Sequence, residues 1–262
     1  MRTSRLTFNS SMNIRVPTRI YDILYCDARY FGFAKGKRVN LSGFLNHIIP
    51  LLSNYQDDLH QQLLKYNGGN AEITRAIEQN IHNVYLDSFD FHDDTMSNIP
   101  FRISYKYYDE FINIHDSKLE YYDSNFTSFI RNLLIEYATK KIEHREWFYA
   151  YGFIETLKQA INNSDLCYFY TKEDKCSFVP VAIEVSPHTS HTFVVGFGFD
   201  KNGEKNFRCI MLSSLKNVIN RHKKYNIGNY ECELLYDGLQ EVFEEEYIDY
   251  INFERFFSGC LD

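Results

Sequence analysis

No stretch of this sequence approaches 18 uncharged apolar residues, which excludes an ordinary transmembrane helix and a membrane partner. The opening, Met1-Arg2-Thr3-Ser4-Arg5-Leu6-Thr7, lacks the apolar core of a secretory leader, so a cytoplasmic protein is expected. None of the six cysteines (Cys26, Cys167, Cys176, Cys209, Cys232, Cys260) stands in a CxxC pair. That argues against a zinc knuckle and against a disulfide framework, and leaves free thiols in a reducing compartment. No GxSxG, HExxH, phosphate-loop or dinucleotide glycine pattern occurs, so no enzyme, cofactor or metal is expected. Glu143-His144-Arg145-Glu146 resembles a nuclease fragment, but its helical spacing reads as an exposed face. The acids Asp90, Asp93 and Asp94 lack the glycine-containing spacing of a calcium loop and read as solvated loop.

What is present is globular. Hydrophobic residues make up 44% and charged residues 24% of 262 positions, which suits two domains better than one. The net charge of −7 excludes a polycation of the histone type, yet it hides an uneven spread. Residues 1–40 hold eight basic residues against Asp22 and Asp27, and residues 229–262 hold ten acidic residues against Arg255. One end suits a polyanion; the other repels it.

The first half repeats itself. Asn13-Ile14-Arg15-Val16-Pro17-Thr18-Arg19-Ile20-Tyr21-Asp22 aligns with residues 100–109 at an offset of 87, matching Arg15 to Arg102. The block from Asn40 to Ile49 aligns with Asn125 to Leu134 at an offset of 85. In each copy a two-residue alternation such as Met12, Ile14, Val16 predicts a half-buried strand. A helix opening near Pro17 follows, then a basic loop Lys35–Arg38, then a helix capped by Asn40. The second copy predicts a strand near Ile99–Ile103, a helix over about 105–121 and a helix from Asn125. Between the copies, Gly68-Gly69 break the chain, and Ile73, Ile77, Ile81 and Tyr85 mark an amphipathic helix.

Strand, helix, helix resembles the ribbon-helix-helix repressors, which lay a two-stranded antiparallel ribbon in the major groove. The run Ser11-Met12-Asn13-Ile14-Arg15-Val16-Pro17 carries the likeness. The resemblance implies that Ser11, Asn13 and Arg15 face outward, that Arg19, Lys37, Arg38 and Arg102 meet the polyanion, and that the start of the second helix offers amides to a phosphate. It also implies a covalent pseudo-dimer in which strand 11–16 pairs with strand 98–103. The second copy departs from the family at its reading face, with Pro100 there.

From about residue 150 the pattern turns to short strands: Leu166–Tyr170, Phe178–Glu184, Thr192–Phe199 and Asn206–Leu212, with a turn at Asp200-Lys201-Asn202-Gly203. The order of helix 153–161, strand ending in Tyr170, Pro180 strand, Thr192-Phe193-Val194 and Met211-Leu212-Ser213-Ser214-Leu215 resembles the WYL domain, whose core is an SH3-like barrel. The resemblance places Tyr170, His188, His191, Phe193, Lys205 and Arg208 around a groove. An aromatic beside a cation suits a stacked base and its phosphate. The family arginines are replaced by Met211 and Ser214, with Arg208 the nearest basic substitute.

The expected fold is α+β: tandem, mostly helical ribbon-helix-helix-like repeats over 1–148, an SH3-like β-barrel WYL domain over 149–222, and an acidic helical tail over 223–262 for docking or a homodimer contact. This order of domains is similar to the accessory proteins of type VI-D CRISPR systems. The resemblance implies a single-stranded RNA-binding protein that modulates an RNA-guided effector nuclease. The alternatives are a ligand-sensing transcriptional regulator on duplex DNA and a protein–protein adaptor.

Overall fold

Ile14 and Val16 are fully buried while Ser11, Asn13 and Arg15 are exposed, so the alternation in the sequence becomes strand β1, Ser11–Pro17. Its partner in this computed structural model is the strand Met96–Arg102. The structure describes residues 11–87, 95–118, 125–171, 175–186, 189–199 and 203–242. The acids Asp90, Asp93 and Asp94 lie outside them. The chain divides into two units, Met1–Lys141 and Ile142–Asp262.

In the first unit, β1 is followed by α1 (Thr18–Tyr30), a small hairpin of β2 (Ala34–Lys35) and β3 (Arg38–Val39), α2 (Leu41–Tyr66) and α3 (Ala71–Asp87). Then come β4 (Met96–Arg102), a 3-10 turn at Tyr105–Tyr107, α4 (Tyr108–Lys118) and α5 (Phe126–Thr139). β1 and β4 pair antiparallel about Ile14 and Ile99, with Ser11 opposite Arg102 and Pro17 opposite Met96. Neither strand alone has a buried ladder; the two form one ribbon whose inner face, Ile14, Val16, Ile99 and Phe101, is covered by helices.

The second helices match position for position. Phe44, Leu45, Ile48 and Ile49 of α2 are buried, as are Phe129, Ile130, Leu133 and Leu134 of α5, all at a spacing of 85. Asn40 accepts a hydrogen bond from the Gly43 amide at 2.9 Å, and Asn125 accepts one from the Ser128 amide at 3.1 Å. Each satisfies one of the orphan donors of a helix start.

The spacing corrects the sequence alignment. Ile14 corresponds to Ile99 and Val16 to Phe101, again at 85, whereas Leu24 of α1 corresponds to Phe111 of α4 at 87. The offset of 87 therefore holds for the first helices and not for the strands. Two extra residues enter around the 3-10 turn, which also delays the helix expected from 105 to Tyr108. The counterpart of Arg15 is thus Pro100, that of Asn13 is Asn98, and Arg102 stands where the first copy has Pro17.

Between the copies, Gly68 and Gly69 take φ of +62° and +84°, which ends α2, and Asn70 accepts from the amides of Glu72 and Ile73 to start α3. Of the apolar stripe expected on α3, Ile73 is 49% and Ile81 37% exposed and Ile77 is half-buried; among the helix's described side chains Thr74 is the buried one.

The second unit opens with α6 (Ile142–Asn163), which starts upstream of the sheet it packs on. Its strands are β5 (Asp165–Thr171), β6 (Lys175–Val185), β7 (Thr192–Phe199), β8 (Lys205–Met211) and β9 (Leu215–Lys224), followed by α7 (Asn229–Val242). The sheet order is β8-β7-β6-β5-β9, and each strand pairs antiparallel with its neighbours. Among the described residues no ladder joins β8 to β9, so an open sheet replaces the expected closed barrel. A 3-10 turn at Leu212–Ser214 links β8, at one edge, to β9, at the other.

One face, including Cys167, Phe169, Phe178, Val194, Leu215 and Val218, packs on Ala150, Ile154 and Leu157 of α6. The opposite face, including Val179, Val195 and Phe197, packs on Leu235 and Leu239 of α7. The apolar residues Leu234, Leu235 and Leu239 of the acidic tail thus pack on their own sheet. Glu146, expected on an exposed helix face, is fully buried. It accepts from the Thr192 amide at 2.6 Å, and its other oxygen lies 3.1 Å from His191 Nδ1. A buried carboxylate needs such partners, so the Glu143–Glu146 run is structural at its last position.

Candidate nucleic-acid interface

The ribbon's outer face carries Ser11, Asn13 and Arg15 on β1 and Met96, Asn98, Pro100 and Arg102 on β4, all exposed. Register sets Arg15 opposite Asn98 and Ser11 opposite Arg102. The two arginines are therefore four positions apart along the ribbon, about 13 Å at ~3.3 Å per residue. Asn13 faces Pro100, so the middle of the face has one amide and no cation. Arg19, in the first turn of α1, is also exposed.

The basic loop is a two-residue hairpin. Lys35 pairs with Arg38, and Gly36 has φ +59°, the kind of backbone that glycine supplies at a tight hairpin turn. Lys35, Lys37 and Arg38 are all exposed on it. Behind the hairpin lies a cavity of about 670 Å³, lined by Tyr21 and Phe33, by Lys35 and Arg38, and by Ile99 and Pro100 of β4. Asn40, the cap of α2, and the helix's first residues Leu41 and Ser42 line it as well. The cavity thus combines two cations, two aromatic rings and a helix start, a composition suited to an anionic group attached to a flat ring.

The helix start is held against the ribbon by Asn46, 2% exposed. Its Nδ2 donates to the carbonyls of Ser42 and Arg102, both at 2.8 Å, and its Oδ1 accepts from the Ser104 amide at 2.9 Å. One side chain therefore ties the end of β4 to the first turn of α2, and the cavity wall cannot shift without breaking these bonds.

In the second unit the expected groove is not gathered in one place. Tyr170 lies on β5, on the face away from α6, whereas Arg208 on β8 crosses Gly198, where a β-carbon would meet the Arg208 Cδ at 2.5 Å. Phe193 packs into the core beneath α7. Lys205 is hydrogen-bonded to Glu231 of α7 and sits 5.2 Å from the Tyr225 ring. Those bonds, the one to Glu231 above all, hold the Lys205 ammonium above its ordinary pKa. Burial pushes the Glu231 carboxyl up, but Lys205 and the amides of Glu231 and Gly228 outweigh it and leave it below the ordinary range. His191 is 3.1 Å from Glu146, and His188 lies outside the described residues.

The residues that do come together were passed over in the sequence. Tyr168, next but one to Tyr170, has Lys175 Nζ 3.7 Å and the Arg221 guanidinium 4.8 Å from its ring centroid. Lys175 is also 5.5 Å from the Tyr170 ring. The signal that could have pointed here is the basic run Arg221-His222-Lys223-Lys224, which forms the exposed end of β9.

Burial raises the thiols of Cys167 and Cys209 to about 12, in Cys167 with a further push from Asp165. Among the described residues the cysteines are free, no cluster of His, Cys, Asp and Glu could hold a metal, and no helix is long and apolar enough to cross a membrane.

No family model and no curated protein matches this chain. A crystal structure of a CRISPR Cas-related protein does, with a TM-score of 0.63 at 14% identity over 92% of this chain and 73% of that one. The two share a fold.

Proposed function

We propose that this chain is a non-catalytic protein that binds single-stranded nucleic acid, with RNA as its ligand, and modulates the RNA-guided nuclease of a CRISPR system. The observation that carries this reading is the likeness of fold, over 92% of the chain, to a CRISPR Cas-related protein. The duplicated strand–helix–helix unit and its antiparallel ribbon support the ribbon-helix-helix resemblance. The strand order β8-β7-β6-β5-β9, with a 3-10 turn before the last strand, supports the SH3-like arrangement of a WYL domain, although the sheet stays open. The cavity bounded by Lys35, Arg38, Tyr21 and Phe33 supports an anionic, ring-bearing ligand.

A second reading has its own observation. A ribbon exposing Asn13, Arg15 and Asn98 is the shape that reads the major groove in duplex DNA, which favours a transcriptional regulator. Competition binding separates the two. Labelled single-stranded RNA, single-stranded DNA and duplex DNA are compared at one stated salt concentration. Preference for single strands, with a change in effector nuclease turnover on adding the protein, is the expected result. Sequence-selective preference for duplex favours the regulator, and no binding at low salt leaves a protein–protein adaptor.

A further inference from the structure

We propose that the β6–β5–β9 face of the second unit is a binding surface for single-stranded nucleic acid, centred on Tyr168, with Lys175 and Arg221 taking backbone phosphates and Tyr170 and Ile219 lying under the bases. This rests on the RNA reading above and adds where the second unit holds the strand.

The strand pattern sets the surface. Cys167 and Phe169 point into the core beneath α6, so Tyr168 and Tyr170 stand on the other side of β5. Register then places Ser177 and Ile219 beside Tyr168, and Lys175 and Asn217 beside Tyr170. Both tyrosines are half-buried and Ile219 is 42% exposed. The core beneath α7 is built on β6, β7 and β8 together with Leu166, and includes none of Tyr168, Tyr170 and Ile219. Among the described residues a partly apolar area is thus left on the sheet, edged by cations.

Arg221 is brought there by an irregular backbone. Asn220 pairs with Cys167 and Lys223 with Leu166, so Arg221 and His222 have no partners across the ladder and form a bulge. His222 sits at φ +52°, a conformation L-residues rarely adopt, held by the bond from its amide to Asn220 Oδ1 at 2.7 Å. The bulge turns Arg221 onto Tyr168 from β9, while Lys175 reaches the same ring from β6 on the opposite side. Lys223, opposite Leu166, falls on this face as well. Two positive charges gathered at one ring favour a phosphate beside it. Tyr168 is thereby a support for the two cations, and the half-buried Tyr170 ring two residues on offers a π-face that any base can stack on.

The test uses the full chain and a fluorescein-labelled oligouridine, followed by anisotropy over a series of salt concentrations. The variants are the double charge reversal Lys175→Glu with Arg221→Glu, both at exposed positions, and Tyr170→Leu, with thermal melts to establish that each folds. The charge reversal is expected to weaken binding by about tenfold or more. It is also expected to flatten the slope of log K against log salt by about 1.4, at ~0.7 per lost single-strand phosphate contact. Tyr170→Leu is expected to weaken binding by about fivefold or more with the slope unchanged, since it removes stacking and no charge. Wild-type protein that binds no oligonucleotide overturns the RNA reading and this proposal with it. Wild-type binding that both folded variants leave unaltered in affinity and slope overturns this proposal alone.

Discussion

Ile14 and Ile99 face each other at the centre of the ribbon, and Phe44 and Phe129 fill corresponding places in the second helices, yet Arg15 and its counterpart Pro100 have no chemistry in common. The two strand–helix–helix copies are alike where they are buried and unlike where they are exposed. Among the described residues the basic hairpin also belongs to one copy only, and with it the cavity bounded by Lys35 and Arg38. The reason is physical. Each copy covers half of a shared core, so a change in an inner residue is felt by both halves. An outer residue touches mainly water and is free to take on, or to lose, a contact with a ligand. A pseudo-dimer joined in one chain can therefore carry its cations on one side, which a symmetric homodimer cannot.

The strongest way to break this comparison is to truncate the matched phenylalanines. Phe44→Ala and Phe129→Ala each empty a fully buried site and are each expected to cost about 3–5 kcal/mol. Chemical denaturation should show two similar losses. A loss confined to one variant would mean that the copies do not share a core. Next in size is the ligand side. Replacing Arg15 and Arg38 by alanine is expected to weaken RNA binding by about tenfold, roughly 1.4 kcal/mol, with folding unaltered. Pro100→Ala, at the position matching Arg15, should leave affinity within about twofold, read in the same anisotropy assay.

Much of the first unit was legible in the sequence because its signals are local. The alternation of Ile14 and Val16, the cap at Asn40 and its repeat at Asn125, and the glycine pair at 68–69 each fix backbone geometry within a few residues. The alignment of Arg15 with Arg102 misled because it followed identity at an exposed position. Burial follows Ile14, Val16, Ile99 and Phe101, and only those set the true offset. In the second unit β5 to β8 were legible from apolar runs. β9 was not: only Leu215 and Val218 of its residues are buried, and its basic end looks like a loop. Missing it hid the Tyr168 surface, since Arg221 reaches that ring only through the strand's bulge. The expected groove failed for a related reason. Tyr170, Phe193 and Arg208 were grouped by their order in the chain, but strand pairing assigns them to three different strands and alternation to different faces.

The smallest expected effect sharpens the comparison most finely, because it concerns the two caps. Asn40→Ala and Asn125→Ala are each expected to cost about 1 kcal/mol, as both side chains hold a helix amide at nearly the same distance. The capped residues differ: Gly43 in one copy, Ser128 in the other. A β-carbon added at Gly43 would come within 2.4 Å of Asn40 Nδ2, the movable end of that side chain, so Gly43→Ala displaces the amide rather than the backbone. Alanine gains about 1 kcal/mol over glycine in helix propensity, which offsets the disturbed cap. The single variant Gly43→Ala should therefore change stability by less than about 0.5 kcal/mol. In its background Asn40→Ala should cost clearly less than it does in the wild-type chain, whereas Asn125→Ala should cost the same in both. A double-mutant cycle with urea denaturation measures this coupling. Full additivity at Asn40 would show that its amide accommodates a side chain at position 43 as Asn125 already accommodates Ser128, and the caps would then be equivalent despite the glycine.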